Sequence, residues 1–294
     1  MNQVVDSIDF QLLVALFGDA RQSYQSLGRR LSLSAPAVRS RLERLKMKGV
    51  LQGYMLTINT SVFDRVEFVI SFPGDFKLKS AQVAVAALDV SWVRLKQDGQ
   101  MFVGLWTRDA NKSIDHMTKI LGVGPSGRAL RPRRRHAPVS ITDLSIMDAL
   151  VDNPKVPFGE LVKSTGLSPK TVRKHLNRLL ETKTISIEPL LGALTDSGEL
   201  VYPMVIAGRV SMDQVRRIMG EAEQLHYAVD PPVKHVLCRA SSLPEVMRKT
   251  RMLEKVQGVE SVTLSLDREM LVSTGMRHSL IREEISKLEK DRMT

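Results

Sequence analysis

The chain of 294 residues contains two segments that align without a gap at a constant offset of 134 positions. Residues 9–45 align on residues 143–179, and most of the matched residues are of the apolar type that packs in a core. The identical pairs are Asp9/Asp143, Ala15/Ala149, Leu16/Leu150, Leu27/Leu161, Leu33/Leu167, Ser34/Ser168, Val38/Val172, Arg39/Arg173, Leu42/Leu176, Arg44/Arg178 and Leu45/Leu179. VEFVISF at 66–72 also falls opposite LVYPMVI at 200–206. The repeat predicts that a whole structural unit is duplicated.

Each copy begins with three short segments of helical periodicity. Ile8, Leu12 and Leu16 lie on one face of the first segment. The third segments are LSAPAVRSRLERL at 33–45 and LSPKTVRKHLNRL at 167–179. Three short helices joined by tight turns predict a helix-turn-helix, and the extended composition of VLQGYMLTI after them predicts the strands of a wing.

The third helix of each copy carries the candidate DNA-binding residues. Ser34 and Ser168 stand where a hydroxyl caps the free amides of the first turn, and Pro169 fits the first helical position. Val38, Leu42 and Leu45, like Val172, Leu176 and Leu179, share one face that should pack on the preceding helices. The opposite face, with Arg44 and Arg178 on it, would meet bases and phosphates in the major groove. The alternative is a basic face that only contacts solvent.

The candidate DNA contacts comprise the outward residues and those that flank them. They are Ser34, Pro36, Ala37, Arg39, Ser40, Arg41 and Arg44 in the first copy, and Ser168, Lys170, Thr171, Arg173, Lys174, His175 and Arg178 in the second.

The rest of each half alternates strand and helix patterns in the order βαββαβ. The expected elements of the first copy are strands at 66–72, 92–96, 101–106 and 127–130 and helices at 81–88 and 110–121. VESVTLSL at 259–266 alternates apolar and polar residues, and a final helix is expected at 278–291. The predicted fold class is α+β, a tandem repeat of a winged helix-turn-helix followed by a ferredoxin-like domain. The predicted domains are 1–60, 61–132, 133–194 and 195–294.

The charge balance bears on the partner of the chain. Its 43 Lys and Arg residues against 32 Asp and Glu give a formal charge of +11, which favours a polyanion such as double-stranded DNA. The single cysteine, Cys238, suits a reducing compartment, and the acidic start with Asp6 and Asp9 does not resemble a signal peptide. No apolar run approaches the length of a membrane span. We therefore expect a cytoplasmic, nucleoid-associated protein with no membrane partner.

Each half resembles the leucine-responsive/asparagine-synthase regulator (Lrp/AsnC) family of transcription factors. The resemblance is carried in the first copy by Asp9, Leu12, Leu16, Arg21, Leu27, Leu33, Ser34, Val38, Arg41, Leu42, Leu45, Gly49, Val50, Leu51, Gly53 and Tyr54. The second copy departs from the family pattern with His175 in place of Arg and Lys183 in place of Gly. The resemblance implies that Ser34, Arg39, Ser40, Arg41 and Arg44 contact DNA in the first copy, as do the outward residues of 168–178 in the second.

The same resemblance implies a partner of the chain for itself. The two βαββαβ units would pack face to face as an intramolecular pseudo-dimer, and two chains could pair into a homodimer with four DNA-binding units. Family members that bind amino acids usually carry a Gly-x-x-Asp turn between the second and third strands. Here the turns read KQDGQ at 96–100 and DPPV at 230–233, so neither matches. Simple hairpins are the alternative, and a small-molecule effector stays unassigned.

Between the halves lies RALRPRRRHAPV at 128–139, which has five arginines and no acid. The candidate residues of a basic arm that tracks phosphates or enters a minor groove are Arg131, Arg133, Arg134 and Arg135. A solvated linker whose charge only adds to the field of the protein is the alternative.

Two further functions compete with a sequence-specific transcriptional regulator. Paired Lrp-like polypeptides also occur as siroheme decarboxylases, and His226 and His235 could flank a cleft on adjacent strands. The sequence shows no nucleophile motif, paired carboxylates or metal-binding histidine pair, so we predict no catalytic residue, no cofactor and no metal. An architectural chromatin protein is the third possibility. We expect a regulator that is not an enzyme.

Overall fold

The computed structural model describes residues 5–133, 135–192 and 200–293 and contains two halves of the same design. The elements of the first half are α1 (Ser7–Gly18), α2 (Tyr24–Leu31), α3 (Ala35–Met47), β1 (Leu51–Ile58), β2 (Val66–Phe72), α4 (Leu78–Val85), β3 (Val90–Lys96), β4 (Met101–Thr107), α5 (Ala110–Leu121) and β5 (Gly127–Leu130). Those of the second half are α6 (Ile141–Leu150), α7 (Phe158–Thr165), α8 (Pro169–Glu181), β6 (Ile185–Leu191), β7 (Leu200–Gly208), α9 (Met212–Met219), β8 (Ala222–Val229), β9 (Pro232–Ala240), α10 (Leu243–Glu254), β10 (Val259–Leu264), β11 (Asp267–Val272) and α11 (Thr274–Met293). The α+β fold class is confirmed.

Helices α1–α3 form the first head, and α6–α8 form the second head. Both heads start with a capping box at equivalent positions, made by Asp6 with Asp9 and by Ser140 with Asp143. In each box the first side chain accepts from an amide of the first turn, and the second accepts from the amide of the first residue. The heads share one hydrophobic cluster, which includes Leu16, Leu45, Leu150 and Leu179 at the repeated positions. The residues that the repeat matches are therefore those that pack in the same way in both copies.

The third helix of each head ends with a residue in the left-handed region. Gly49 has φ +69°, and Lys183 at the equivalent position has φ +52°. Glycine adopts this conformation without strain, whereas a lysine must hold its Cβ close to the backbone. The second head thus ends its third helix in the same way as the first, although Lys183 departs from the family pattern.

Strands β1 and β6, which follow the heads, correct the prediction of a wing within each half. Instead of pairing within its own half, β1 pairs antiparallel with β6, with Leu56 opposite Ile187 and Ile58 opposite Ile185. A lone strand would leave its backbone amides and carbonyls unpaired, so the two single strands satisfy each other. This pairing joins the two heads across a pseudo-twofold axis.

The two sheets follow the same order, and the second half lends one strand to the first. The sheet of the second half runs β10-β7-β9-β8, and the sheet of the first runs β11-β3-β4-β2-β5. Strand β11 adds to the edge of β3, with Val272 opposite Trp92. Leu130, at the end of β5, makes the reciprocal contact as an isolated bridge with Asp230. The two ferredoxin-like units are therefore interlocked by exchanged chain segments.

Candidate nucleic-acid interface and central cavity

Helices α3 and α8 bury the predicted faces and are capped by the predicted residues. Val38, Leu42, Leu45, Val172, Leu176 and Leu179 are all buried. The Ser34 hydroxyl accepts a hydrogen bond from the amide of Ala37 at 3.3 Å, and the Ser168 hydroxyl accepts one from the amide of Thr171 at 3.2 Å. These caps confirm where each helix begins, and they fix which residues its N-terminal end presents.

Each of these helices exposes a group of residues at its N-terminal end. They are Ser34, Pro36, Arg39 and Ser40 on α3, and Ser168, Lys170, Arg173 and Lys174 on α8, whereas Ala37 and Thr171 are half-buried. The Arg173 guanidinium lies 4.8 Å from the ring centroid of Phe158. Three cations thus face solvent on α8 over this stretch and one on α3, so the N-terminal end of α8 is the more positive of the two.

The expectation that Arg44 faces outward is wrong. Its side chain is 18% exposed and folds back to pair with Asp9, which is completely buried. Arg41 binds the same acid and also Asp6, at 2.9 and 2.8 Å. A buried carboxylate without cations would be very costly, so the two arginines are held against α1 by this charge. Their principal contacts are within the head.

The second head repeats this arrangement around Asp143. Nδ1 of His175 lies 2.8 Å from Oδ1 of Asp143, and Arg178 binds the other carboxylate oxygen. Burial alone would raise the pKa of Asp143, but the hydrogen bonds from Arg178, Ser140 and His175 hold it below its usual value. Arg178 is 39% exposed, so it is less enclosed than its counterpart Arg44.

The arginine-rich segment between the halves lies against the first half. The amide of Arg131 donates to the carbonyl of Glu67 at 2.9 Å, and its side chain is largely buried. Arg133 is exposed and binds Asp64 at 2.7 Å, while Arg135 is exposed and its carbonyl accepts from Asn59. Arg134 lies outside the described residues, as does the predicted boundary at 194–195. Of the described arm candidates, Arg133 and Arg135 are therefore the ones that face solvent.

A cavity of about 510 Å³ lies between the two sheets, and we call it the central cavity. Its lining includes Glu67, Trp92, Arg94, Lys96, Phe102 and Trp106 from the first sheet and Val205, Ala207, His226 and His235 from the second. The rings of His226 and His235 are stacked with centroids 6.0 Å apart, which confirms that they flank a cleft. Burial, together with the nearby charge of Arg94, holds the pKa of His235 well below its usual value. This imidazole is therefore neutral at pH 7.

The cations of the central cavity differ in how well they are paired. Arg94 and Lys96 share the carboxylate of Asp267, and the distance from Arg94 Nη1 to its Oδ2 is 2.8 Å. Arg277 from α11 is 1% exposed and donates through Nη2 to the Ser91 hydroxyl at 3.1 Å. Burial lowers the pKa of this guanidinium to about 10, so it still carries a charge at pH 7.

Comparisons with known proteins agree with the repeat. A model of the AsnC-type helix-turn-helix domain matches residues 5–46, and a model of winged helix-turn-helix DNA-binding domains matches residues 140–185. The HTH-type transcriptional regulator Ptr1 of Methanocaldococcus jannaschii is 41% identical over 56 residues, 19% of this chain and 38% of that protein. LrpA of Mycobacterium tuberculosis is 37% identical over 91 residues, 31% of this chain and 53% of that regulator. The two heads are therefore similar to the helix-turn-helix domains of AsnC-type and Lrp regulators.

The chain spans 38% and 53% of the length of those two relatives. The crystal structure of the siroheme decarboxylase NirDL covers 97% of the chain and is itself covered completely, with a TM-score of 0.51 and 14% identity. At this identity the likeness shows the fold alone. The fold of that decarboxylase chain thus extends over nearly the whole of this chain.

Sequence reasoning missed the structural role of several charged residues. Asp9 and Asp143 were matched by the repeat, but their pairing with the third helix depends on tertiary contacts. Arg277 carries no local signal, because only the packing of α11 on β3 brings it to the cavity. The sequence of a helix does not indicate which structural element each of its charged side chains contacts.

Other site predictions concern metals, the cysteine and membranes. Over the described ranges, no group of three or more His, Cys, Asp or Glu side chains is arranged to hold a metal ion. Cys238 is buried on β9, and burial raises its thiol pKa to about 12. Of the helices that the structure describes, none is long and apolar enough to cross a bilayer.

Proposed function

We propose that the chain is a DNA-binding transcriptional regulator that is sequence-specific and binds through two heads of one polypeptide. The observation that carries the proposal is the exposed N-terminal end of α3 and α8, where Arg39 and Ser40 and their counterparts Arg173 and Lys174 face solvent. A helix that enters the major groove meets base edges with these first turns. The regulators that match the sequence support the same assignment.

Arg41, Arg44, His175 and Arg178 act in this proposal as positioning residues. Their bonds to buried Asp9 and Asp143 hold each third helix on the first helix of its head. A fixed recognition helix loses less conformational freedom when it binds, so the buried pairs contribute to affinity without a base contact.

The differences between the heads support a non-palindromic operator. Lys170, Lys174 and His175 stand where the first head has Pro36, Ser40 and Arg41. A homodimer must present two identical surfaces, whereas a fused pair can read two different half-sites. We infer half-sites about one helical turn of duplex apart, or a multiple of it.

Selection from randomised duplex DNA, followed by the mass of the complex, tests the proposal. We expect enrichment of two unlike half-sites at a fixed spacing, bound by one chain or by a pair of chains. Enrichment of no discrete sequence would contradict it and favour an architectural protein. A Soret band that shifts on mixing with siroheme, followed by loss of the substrate's carboxylates as carbon dioxide, would favour the enzyme instead. The exposed cations of α8 favour the regulator over that enzyme.

A further inference from the structure

The strongest unassigned feature is the central cavity, because it carries a buried charge with few partners. Burial lowers the pKa of Arg277, and Glu67 and Glu188 are near enough to raise it, but among the described residues neither forms a direct ion pair with it. Neither its Nε nor Nε1 of Trp106 has a hydrogen-bond partner there. The guanidinium lies 5.3 Å from the Trp106 ring centroid. A buried cation and a buried indole donor that both border a cavity form a site for an anionic acceptor.

The charges around the cavity also favour an anion. Four enclosed cations, Arg94, Lys96, Arg131 and Arg277, face the carboxylates of Glu67, Glu188 and Asp267. With neutral histidines, this leaves an excess of positive charge, to which Arg128 and Lys183 at the lining add. Glu188 lies 3.3 Å from His226, between Oε2 and Nε2, and its charge together with that of Glu67 offsets only part of this excess.

The volume and the apolar lining of the cavity favour an organic anion over a bare inorganic ion. Trp92, Phe102 and Trp106 line one side, while Val205 and Ala207 line the other. Trp92 rests directly on Gly104, where an added Cβ would lie 2.2 Å from its ring. A volume of about 510 Å³ is in the range of small-molecule sites. A planar aromatic molecule can pack against Trp92 and Phe102 in such a space.

Two ring side chains are among the contacts that link the cavity to the heads. His226 meets Phe17 of α1 edge-on, with ring centroids 6.3 Å apart. Arg277 is followed in α11 by His278, whose two ring nitrogens lie 2.6 Å from Asp148 and 3.1 Å from Asp152 of the second head. Movement of α11 toward a ligand at Arg277 therefore moves the residue that holds the second head.

We propose that the central cavity binds a planar aromatic carboxylate, with its carboxylate on Arg277, and that this ligand changes DNA affinity through Phe17 and His278. The effect on DNA rests on the proposed function, whereas binding of the ligand does not. The site lies between the sheets, and Lys96, Pro231 and Val233 from the turns at 96–100 and 230–233 are part of its lining.

Intrinsic fluorescence reports this cavity directly, because the two tryptophans of the chain, Trp92 and Trp106, both line it. We would titrate the full chain with terephthalate and with trimesate, excite tryptophan selectively, and use neutral terephthalamide and inorganic phosphate as controls. We expect a saturable change with the carboxylates only. No saturable change with either carboxylate, or an equal response to terephthalamide or phosphate, would overturn the assignment.

Three variants locate the ligand. Arg277→Gln should weaken terephthalate binding about tenfold or more, and Arg277→Lys should retain part of the affinity. Ala207→Phe fills the cavity without removing charge and should abolish binding, which keeps the test decisive if Arg277→Gln fails to fold. Wild-type affinity in Ala207→Phe would contradict the location.

The coupling is tested with the DNA sequence selected by the wild-type chain. We expect saturating terephthalate to change its affinity about threefold or more, and His278→Ala to reduce that response while the tryptophan titration stays unchanged. If the chain binds no DNA, the proposed function fails, and the titration still decides the ligand site. Saturable binding without any change in DNA affinity would overturn the coupling alone.

Discussion

Arg21 and Lys155, which occupy equivalent positions in the two copies, reach across the pseudo-twofold axis to each other's half. The Arg21 guanidinium donates to the carbonyls of Pro154 and Val156 at 2.7 and 3.0 Å. Lys155 donates in the opposite direction to the carbonyl of Ala20, and its Nζ lies 5.0 Å from the Tyr54 ring centroid. Together with the β1–β6 pair, these bonds fix the orientation of one head against the other.

The double variant Arg21→Ala/Lys155→Ala should loosen this orientation. We expect it to bind each half-site alone with unchanged affinity but to lose affinity for the selected two-site duplex, because a rigid pair is pre-organised for one spacing. Affinity measured against a series of spacer lengths checks this. A spacing preference as sharp as that of the wild type would show that the strand pairing suffices.

Lys170 and Lys174 should contribute to binding through phosphates or bases. Replacing both by Ala should weaken DNA binding and lower the slope of log affinity against log salt by up to about two, since each phosphate contact contributes about 0.9. Lys112→Ala/Lys119→Ala removes the same charge from exposed positions on α5, and it serves as the matched control. Equal losses in the two variants would mean that α8 acts only through net charge.

The buried acids should stabilise the heads unequally. Asp9→Asn removes the buried charge that Arg41 and Arg44 share, and it should lower the free energy of unfolding by about 3 kcal/mol. Asp143→Asn should cost about 1–2 kcal/mol, because Arg178 can turn to solvent. Calorimetric melting temperatures of the two variants give the comparison. An equal or reversed order would contradict this account of burial.

Acid should weaken the second head through the same carboxylate. The folded pKa of Asp143 is below its unfolded value of about 3.9, so its stabilisation is present above that pH and is lost as the pH falls through the folded pKa. We therefore expect the difference in melting temperature between the wild type and Asp143→Asn to narrow below about pH 4. A constant difference down to about pH 2 would exclude this linkage.

Some of the structure was predictable because it is repeated or periodic along the chain. The caps Ser34 and Ser168 and the buried face of each third helix depend on local spacing, and the sequence predicted them. The pairing of β1 with β6 was not predictable, since either strand alone has the composition of a wing. Arg44 was misplaced for a similar reason, because a buried acid 35 residues earlier in the chain turns it inward.

The left-handed residue after each third helix gives a pair of opposite substitutions. Gly49→Ala adds a Cβ that meets nothing within 4 Å, so its cost of about 1 kcal/mol comes from the backbone conformation. Lys183→Gly relieves the same strain at φ +52°, but glycine also gives the unfolded chain more conformational entropy. The free energy of unfolding should therefore rise by only about 0.5 kcal/mol. Calorimetry of both variants checks the signs. A loss in Lys183→Gly would mean that contacts of the lysine side chain outweigh the strain.

His278 should make the contact between α11 and the second head sensitive to pH. Burial alone would lower its pKa, but hydrogen bonds with Asp148 and Asp152 raise it above the usual value. Because the folded pKa exceeds the unfolded value of about 6.5, the stabilisation is fully present below that pH and is lost as the pH rises through the folded pKa. The melting temperature of the wild type should therefore fall more than that of His278→Gln between about pH 6 and pH 8.5. His116→Gln, at an exposed position on α5, is the matched control and should follow the wild type. Parallel curves for the wild type and His278→Gln would mean that His278 does not hold the second head by its charge.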